Sequence, residues 1–506
     1  MIQRSICLAI LTLILSSVLP AQNATDALRY SYFDYGGTGR FIGVGGALGA
    51  FGTEFSTLST NPAGLAMYRS SEVVVSPALL LTRTSSQLEG AFLPEENSFL
   101  PQADPSQSID ESRTVFNLNN IGLVVQSNPR NPKFTTMNFG IGFNHIGNFN
   151  QHFFFEGSSV GSIVDRWQEF ANEFGVDPNN ASFEENVAFN AGALLFDEQS
   201  GVYVTDYDLT HDPNGIGAPV KRSQRARAEG SMSEMVLSLA TNYDELLMFG
   251  LTVGVPIVNY RISKTYVEED EQGLVPFFDD LTFEESLSTT GSGVNFKFGM
   301  ILRPTQAIRI GGAVHSPTGL NLNDESDFAI GYTFTDDQGT SSGFAESDVL
   351  PFEYRIRTPW RYFANAGFII QRYGFISVDL EWVDYSSAEF RYNGFQEEEN
   401  FANQGINNSL QSVMNVRIGG EFAYKLFRIR GGFGLLPSPF AGDTEQNFSY
   451  SAGLGYRSEK FFADLAWKNR RETVGYVPYG TFDAPQQFVN NDISFHSIVL
   501  SLGMRY

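Results

Sequence analysis

Five basic residues pose the chemical question. Lys297, Arg309, Arg355, Arg357 and Arg361 lie in alternating segments, each on the parity opposite its apolar neighbours. Ammonium and guanidinium groups gathered in an enclosed space bind carboxylate or phosphate oxygens. Arg417, Arg428, Arg430 and Lys468 share that parity further along, against Asp379, Glu381, Glu421 and Asp464. One face of these segments therefore carries more cations than acids, in a chain whose net charge is −24. The five residues are expected to hold an anionic head group. The plainer alternative is bracing, in which arginine and acid ladders cross-link neighbouring strands. Asp379 and Glu381, one segment on, would then neutralise two of Arg355, Arg357 and Arg361.

Other chemistries find little support. Cys7 is the only cysteine, so a disulfide framework, a zinc site and a thiol nucleophile are excluded once a leader is removed. His145, His152, His211, His315 and His496 show no metal-ligand spacing, and His315 reads as a hydrogen-bonding interior residue. No Ser-His-Asp order stands out, so no enzyme, cofactor or metal is expected. The acid excess argues against nucleic acid. Glu268–Glu271 and Glu397–Glu399 read as solvated loops rather than divalent-cation sites near lipopolysaccharide, since neither has an EF-hand pattern. The glycines from Gly36 to Gly52 do not cradle phosphate: Leu48 stands where a third motif glycine is needed.

The elements that position these residues are strands. Residues 1–21 read as a secretory signal, with Arg4, an apolar run Ile6 to Leu15, and cleavage after Ala21. No later run of ~20 apolar residues exists, so a helical membrane protein is excluded. Alternation instead recurs at roughly 72–83, 114–127, 133–153, 229–242, 246–265, 288–303, 306–334, 350–371, 373–387, 409–424, 426–437, 447–457, 460–470 and 493–506. Every second connection is short, as at Tyr243–Glu245, Pro304–Thr305 and Lys425, and those between are long. A membrane barrel has short periplasmic turns and long outer loops. The expectation is an all-β, transmembrane antiparallel β-barrel of about 14 strands over 72–506. Its largest outer loop is 154–228, with helix-like stretches near 160–174 and 183–196. Tyr506 closes the last alternating segment, like the terminal aromatic of outer-membrane barrels.

Residues 22–71 precede the first strand and are expected to form a plug within the barrel. They contain Gly-Val-Gly-Gly-Ala-Leu at 43–48 and Asn61-Pro62-Ala63-Gly64-Leu65. With Thr358-Pro359-Trp360, Asp379-Leu380-Glu381-Trp382 and Leu436-Pro437-Ser438-Pro439, the chain resembles the FadL/TodX family of outer-membrane hydrophobic-compound transporters. The resemblance implies a hatch carrying Asn61, Pro62, Ala63 and Gly64, and passive uptake of long-chain fatty acids or aromatic hydrocarbons. It also implies a Gram-negative outer membrane, with its lipid and lipopolysaccharide as surroundings. The insertion 154–228 departs from the pattern. Two further readings stay open: a scaffold or secretion-system partner barrel, and a general porin.

Overall fold

Alternating segments joined by tight turns favour antiparallel hairpins, because only such turns match the strand twist. The computed structural model describes residues 23–94, 98–101, 106–210 and 217–506. The expected signal segment and His211 lie outside them. Fourteen antiparallel strands close one barrel. The first six are β1 (Glu72–Leu93), β2 (Ile109–Ser127), β3 (Phe134–Asn148, continued by Gln151–Ser159), β4 (Val220–Tyr243), β5 (Leu247–Glu269) and β6 (Phe278–Leu302). Three interrupted strands follow: β7 (Ile308–His315 and Gly319–Asp336), β8 (Leu350–Arg357 and Arg361–Ile370) and β9 (Gly374–Asp384 and Glu389–Tyr392). The last five are β10 (Ser412–Tyr424), β11 (Phe427–Pro437), β12 (Gln446–Arg457), β13 (Phe461–Tyr476) and β14 (Gln486–Arg505). Pairing of β1 with β14, from Glu72↔Arg505 to Phe92↔Gln486, closes the sheet on itself.

Each alternating segment becomes one strand. The short turns fall where expected, and Asp244 and Glu245 both take φ +54°, as a two-residue hairpin turn requires. The outer ends differ. β1 runs to Leu93 rather than 83, and β6 begins at Phe278 rather than 288. Much of the expected loop is therefore strand. A stretch of ~9–11 residues suffices to cross a bilayer, so strands of 25 residues, like β6, stand well clear of it.

The outer surface divides accordingly. In the turn-proximal half, Leu251, Phe298, Ile310, Ile376 and Leu454 point outward, at least half exposed. A continuous apolar band on this scale faces lipid, not water. Tyr424, Phe427 and Tyr506 rim it at the turns; Trp360, Trp382 and Trp467 rim its other edge. Among the described residues no helix is long and apolar enough to cross a membrane.

Beyond the band the two faces exchange in the three interrupted strands. In β7 the inward residues are odd-numbered through His315 and even-numbered from Leu320. β8 switches likewise across Thr358–Trp360, and β9 across Tyr385–Ala388. Each switch follows from an interruption that breaks the two-residue period. This corrects the expectation for Arg355 and Arg357. Both are exposed on the outer wall, while Tyr354 and Ile356 fill the lumen. The expectation assumed lipid outside every strand; above the band the outside is water.

The great outer excursion spans 160–219, since 154–159 and 220–228 are strand. It carries helices at 163–174 and 184–191, close to the two expected stretches.

Candidate functional site

The plug is built from local caps. Asn23 and Asp26 form a capping box on α1 (Ala24–Ser31), and Thr38 caps the short α2 (Gly39–Gly43). Asn61 caps the 3-10 turn Pro62–Met67 and does more. Its Nδ2 donates to the Gly49 carbonyl at 2.8 Å and to Asn365 Oδ1 at 3.2 Å, while its Oδ1 accepts from Ala63 N at 3.2 Å. Pro62, Ala63 and Gly64 are buried with it. The wall makes room with glycine. A Cβ on Gly250 would lie 2.2 Å from the Pro62 carbonyl carbon, and one on Gly299 would lie 2.1 Å from Asn61 Oδ1. The motif is thus where the plug folds on itself and locks to the barrel.

Charge pairs fasten the rest of the plug. Arg361 donates to the Ser31 carbonyl and meets Glu381 at 2.6 Å; Arg417 meets the same carboxylate at 2.7 Å. Arg430 bridges Glu421 and Asp464 at 2.7 and 2.6 Å, and Arg40 of the plug reaches Glu421 at 3.3 Å. Lys468 pairs with Asp34 of the plug. Gly39 N donates to Ser501 Oγ at 2.7 Å and Gly49 N to Asp379 at 2.9 Å. Such buried pairs position parts more than they add net stability.

The five expected anion-binding residues therefore separate. Lys297 is buried against Glu234, which also accepts from Ser59 of the plug at 2.9 Å. Arg361 is committed to Glu381 and Ser31. Arg355 and Arg357 lie outside the lumen, Arg357 3.6 Å from Glu389. Arg309 differs from these. Its Nη1 donates to the Phe51 carbonyl at 3.1 Å, its plane lies over the Phe51 ring, and among the described residues no carboxylate comes within 4 Å. His315 is buried with Nε2 2.8 Å from the Thr60 carbonyl, the hydrogen-bonding role its position suggested. The cleft remaining between plug and wall, lined by Phe33, Tyr35, Asp379, Arg417 and Lys468, has a free volume of about 30 Å³. That is room for about one water.

Above the plug the lumen is apolar. Tyr30 of α1 shares one buried apolar cluster there with Leu320, Leu322, Tyr354, Ile356 and Phe390. Two outer covers lie over the lumen, one on a second, separate apolar cluster and one on this one. α5 (Gln396–Ser409) packs Ala402 and Ile406 into it. The excursion 160–219 supplies the other, with α3 (Ile163–Phe174) and α4 (Glu184–Ala191). Trp167 is fully buried edge-on to Phe283, and Tyr207 lies against Phe278.

The fastening of this cover was not read from sequence. Arg222 and Glu268 are both fully buried, 3.0 Å apart. Glu268 also accepts from Ser162 Oγ at 2.5 Å and Tyr266 at 2.7 Å, and Arg222 donates to the carbonyls of Ser159 and Gly161 at 2.6 Å. Glu268 thus leaves the solvated group to which the acidic run assigned it. The one available signal was its alternation with Tyr266. Nearby, burial pushes the Asp165 carboxyl up to about 7, although the Ser162 amide hydrogen-bonds to it.

The wall has a gap between β2 and β3. Pairing of β2 with β3 stops at Asn120↔Asn144, and the continuation of β3 pairs with β4 alone. Plug backbone meets β3 at this bend: Asp34 N donates to the Ile146 carbonyl at 3.0 Å and Gly36 N to that of His145 at 2.9 Å.

No protein-family model and no curated protein matches the chain. Solved structures do. A Pseudomonas aeruginosa FadL homologue superposes with a TM-score of 0.53 at 12% identity, covering 94% of this chain and 99% of that one. A TodX deltaS2S3 mutant, described as a monoaromatic hydrocarbon channel, gives 0.51 at 13% identity, covering 94% and 100%. At such identities the likeness is one of architecture: this chain has the plugged fourteen-strand barrel fold of the FadL and TodX structures.

Proposed function

We propose that this chain is a Gram-negative outer-membrane channel for passive uptake of hydrophobic compounds, such as long-chain fatty acids or aromatic hydrocarbons, gated by its N-terminal hatch. The observation that carries the reading is the apolar lining of the lumen above the hatch, lying under two outer covers and over a plug whose cleft beside Asp379 and Arg417 has about 30 Å³ free. A polar solute gains nothing in such a chamber; an apolar one leaves water there. The channel folds of the two matched structures agree with this. Transfer would go from the outer covers to the chamber and leave by movement of the hatch or through the wall gap beside Asp34–Gly36. Arg309, with no carboxylate within 4 Å among the described residues, is the one of the five expected residues left to hold an anionic head group. The reading includes no chemical reaction.

The test is uptake of labelled oleate and labelled toluene by a strain lacking the gene, with and without the restored wild-type chain. Restored uptake of either, with no steady ion conductance in planar bilayers, is the expected result. Equal uptake in both strains would sink the proposal. A large steady conductance would favour a general porin, which the filled lumen argues against.

One observation favours a second reading, a scaffold or secretion-system partner. The outer cover exposes Phe174, Leu195, Phe196 and Leu209. Co-purification of a stable protein partner without bound lipid would support it over transport.

A further inference from the structure

The wall gap, offered above as one exit from the lumen, contains a charged pocket to which that route assigns no role. Its free volume is about 250 Å³. It forms because β3 bends inward, so that the outer face of its continuation lies behind the edge of β2. Arg225, Arg227 and Glu229 of β4 and His152 of β3 then meet Glu111 and Arg113 of β2.

Its charges do not cancel. Arg225 Nη1 lies 2.7 Å from Glu111, and Arg113 Nη2 lies 2.8 Å from Glu229. Arg227 is exposed and, among the described residues, has no carboxylate within 4 Å. The Nε of Arg113 is buried without an acceptor. With His152 neutral, three guanidiniums face two carboxylates, leaving one net positive charge and open donors.

The depth of the pocket is informative. Arg113 pairs across β1 at Thr82, and Ser112 at Arg83. A few residues nearer the turns, the outward side chains of β1 and β2 are apolar: Leu79, Leu118 and Phe116, the last 74% exposed. The pocket thus opens where the lipid-facing band gives way to charge, the level of lipid head groups. The ring of Phe154 lies 4.6 Å beneath the Arg225 guanidinium, adding an apolar floor.

We propose that this pocket binds the singly charged oxyanion head of a membrane amphiphile, a carboxylate or phosphodiester, whose acyl tail passes the unpaired edge of β2 onto Phe116 and Leu118 of its outer face. The single net charge suits a monoanion. The apolar track around the edge of β2 suits an attached tail and gives a free anion no contact. The site is independent of transport, since it would fill even in a barrel that conducts nothing.

Native mass spectrometry of the full-length protein in phosphatidylcholine nanodiscs tests this. Oleate and dioleoyl phosphatidylglycerol are titrated in separate arms, with acetate and inorganic phosphate as headgroup-only competitors. The wild type is expected to take up one amphiphile saturably. The variant Arg227→Gln breaks no ion pair and should weaken that binding about threefold; Arg225→Gln with Arg227→Gln should weaken it at least about tenfold. Binding of oleate alone identifies a fatty acid as the occupant, of phosphatidylglycerol alone a phospholipid, and of both the shared head chemistry. Unchanged binding in both variants, each migrating as a folded barrel, overturns the proposal. So does competition by acetate or phosphate at the amphiphile's own concentration, because a tail would then contribute nothing.

Discussion

The same strands run through two opposite worlds. Near the turns, Lys297, Arg361 and Arg430 point inward while Phe298 and Tyr362 point outward. Beyond the interruptions, Leu320, Tyr354 and Phe390 point inward while Asn321, Arg355 and Arg391 point outward. What lies outside decides which face turns in. Lipid outside the lower half leaves the lumen as the place for polar side chains, and buried charges there need partners. The plug supplies several of them, from Asp34 to the Ser31 carbonyl. Water outside the upper half removes that demand, and the apolar face turns in to make a chamber. A polar, filled floor beneath an apolar, covered chamber is the arrangement a gated route for apolar solutes needs.

The largest test of this contrast is Glu381→Leu in the lower half. It leaves Arg361 and Arg417 buried without their shared carboxylate. Breaking such a pair costs about 3–5 kcal/mol. Glu325→Gln, on the outer wall of the upper half, should cost at most about 0.5 kcal/mol. Urea midpoints of barrels folded into bilayers measure both. Equal losses would erase the distinction between the halves.

Next comes the hatch lock. Asn61→Ala removes two donated bonds, a third long one to the Met300 carbonyl at 3.5 Å, and one accepted bond. At roughly 1 kcal/mol each, less compensation by water, the plug should loosen by about 2 kcal/mol. The expected signature is brief ion-conducting openings in planar bilayers from a barrel whose wall is otherwise intact. A silent bilayer would mean that the plug is held by its charge pairs alone.

How much of this was legible in the sequence follows the same division. Alternation revealed the fourteen barrel strands, because a period of two survives whichever face is buried, but not short extra strands such as Gly339–Glu346. Tight turns such as Asp244–Glu245 fixed the lower boundaries. The Asn61–Gly64 motif announced a locked segment, and the glycines that receive it, Gly250 and Gly299, were visible only as small members of alternating runs. Which face turns inward was not legible, since alternation carries no sign. The sign changes at Ser316-Pro317-Thr318 and Thr358-Pro359-Trp360, where proline breaks the ladder. Reading those prolines as phase shifts would have placed Arg355 and Arg357 correctly. The Arg222–Glu268 pair was hidden because its partners are some 46 residues apart and the acid sits in an acidic run.

The upper half buries acid differently, and pH should expose this. Burial raises Asp165 to about 7, and it raises Asp206 and Glu169 of the same cover in the same direction. An acid whose folded pKa lies above its unfolded value of ~3.9 contributes stability that is fully present in acid. That contribution is lost as pH rises through the folded value. The cover should therefore tighten between pH 8 and pH 5. Hydrogen exchange in α3, corrected for its intrinsic pH dependence, should slow over that range. Asp165→Asn should remove most of the change. Faster corrected exchange in acid would mean that the cover is held by ionised carboxylates, as the plug is.

The smallest expected effect is the sharpest check on orientation. Arg355 and Arg357 flank Ile356, so one strand segment presents both faces within three residues. If the upper half carries its polar face outward, Arg355→Gln together with Arg357→Gln should change the urea midpoint by no more than about 0.5 kcal/mol. The only pairing lost is an exposed one to Glu389 at 3.6 Å, and such surface pairs contribute ~0–1 kcal/mol. Uptake of an anionic and of an uncharged apolar solute should be equally unaffected. Ile356→Ala, one residue away, should instead open a cavity in the chamber and cost about 3 kcal/mol. The reverse ranking, with the arginines costly and Ile356 indifferent, would place the arginines back in the lumen. A loss of anionic uptake alone in the arginine variant would do the same, because a cation on the outer wall has no reason to distinguish oleate from toluene inside it.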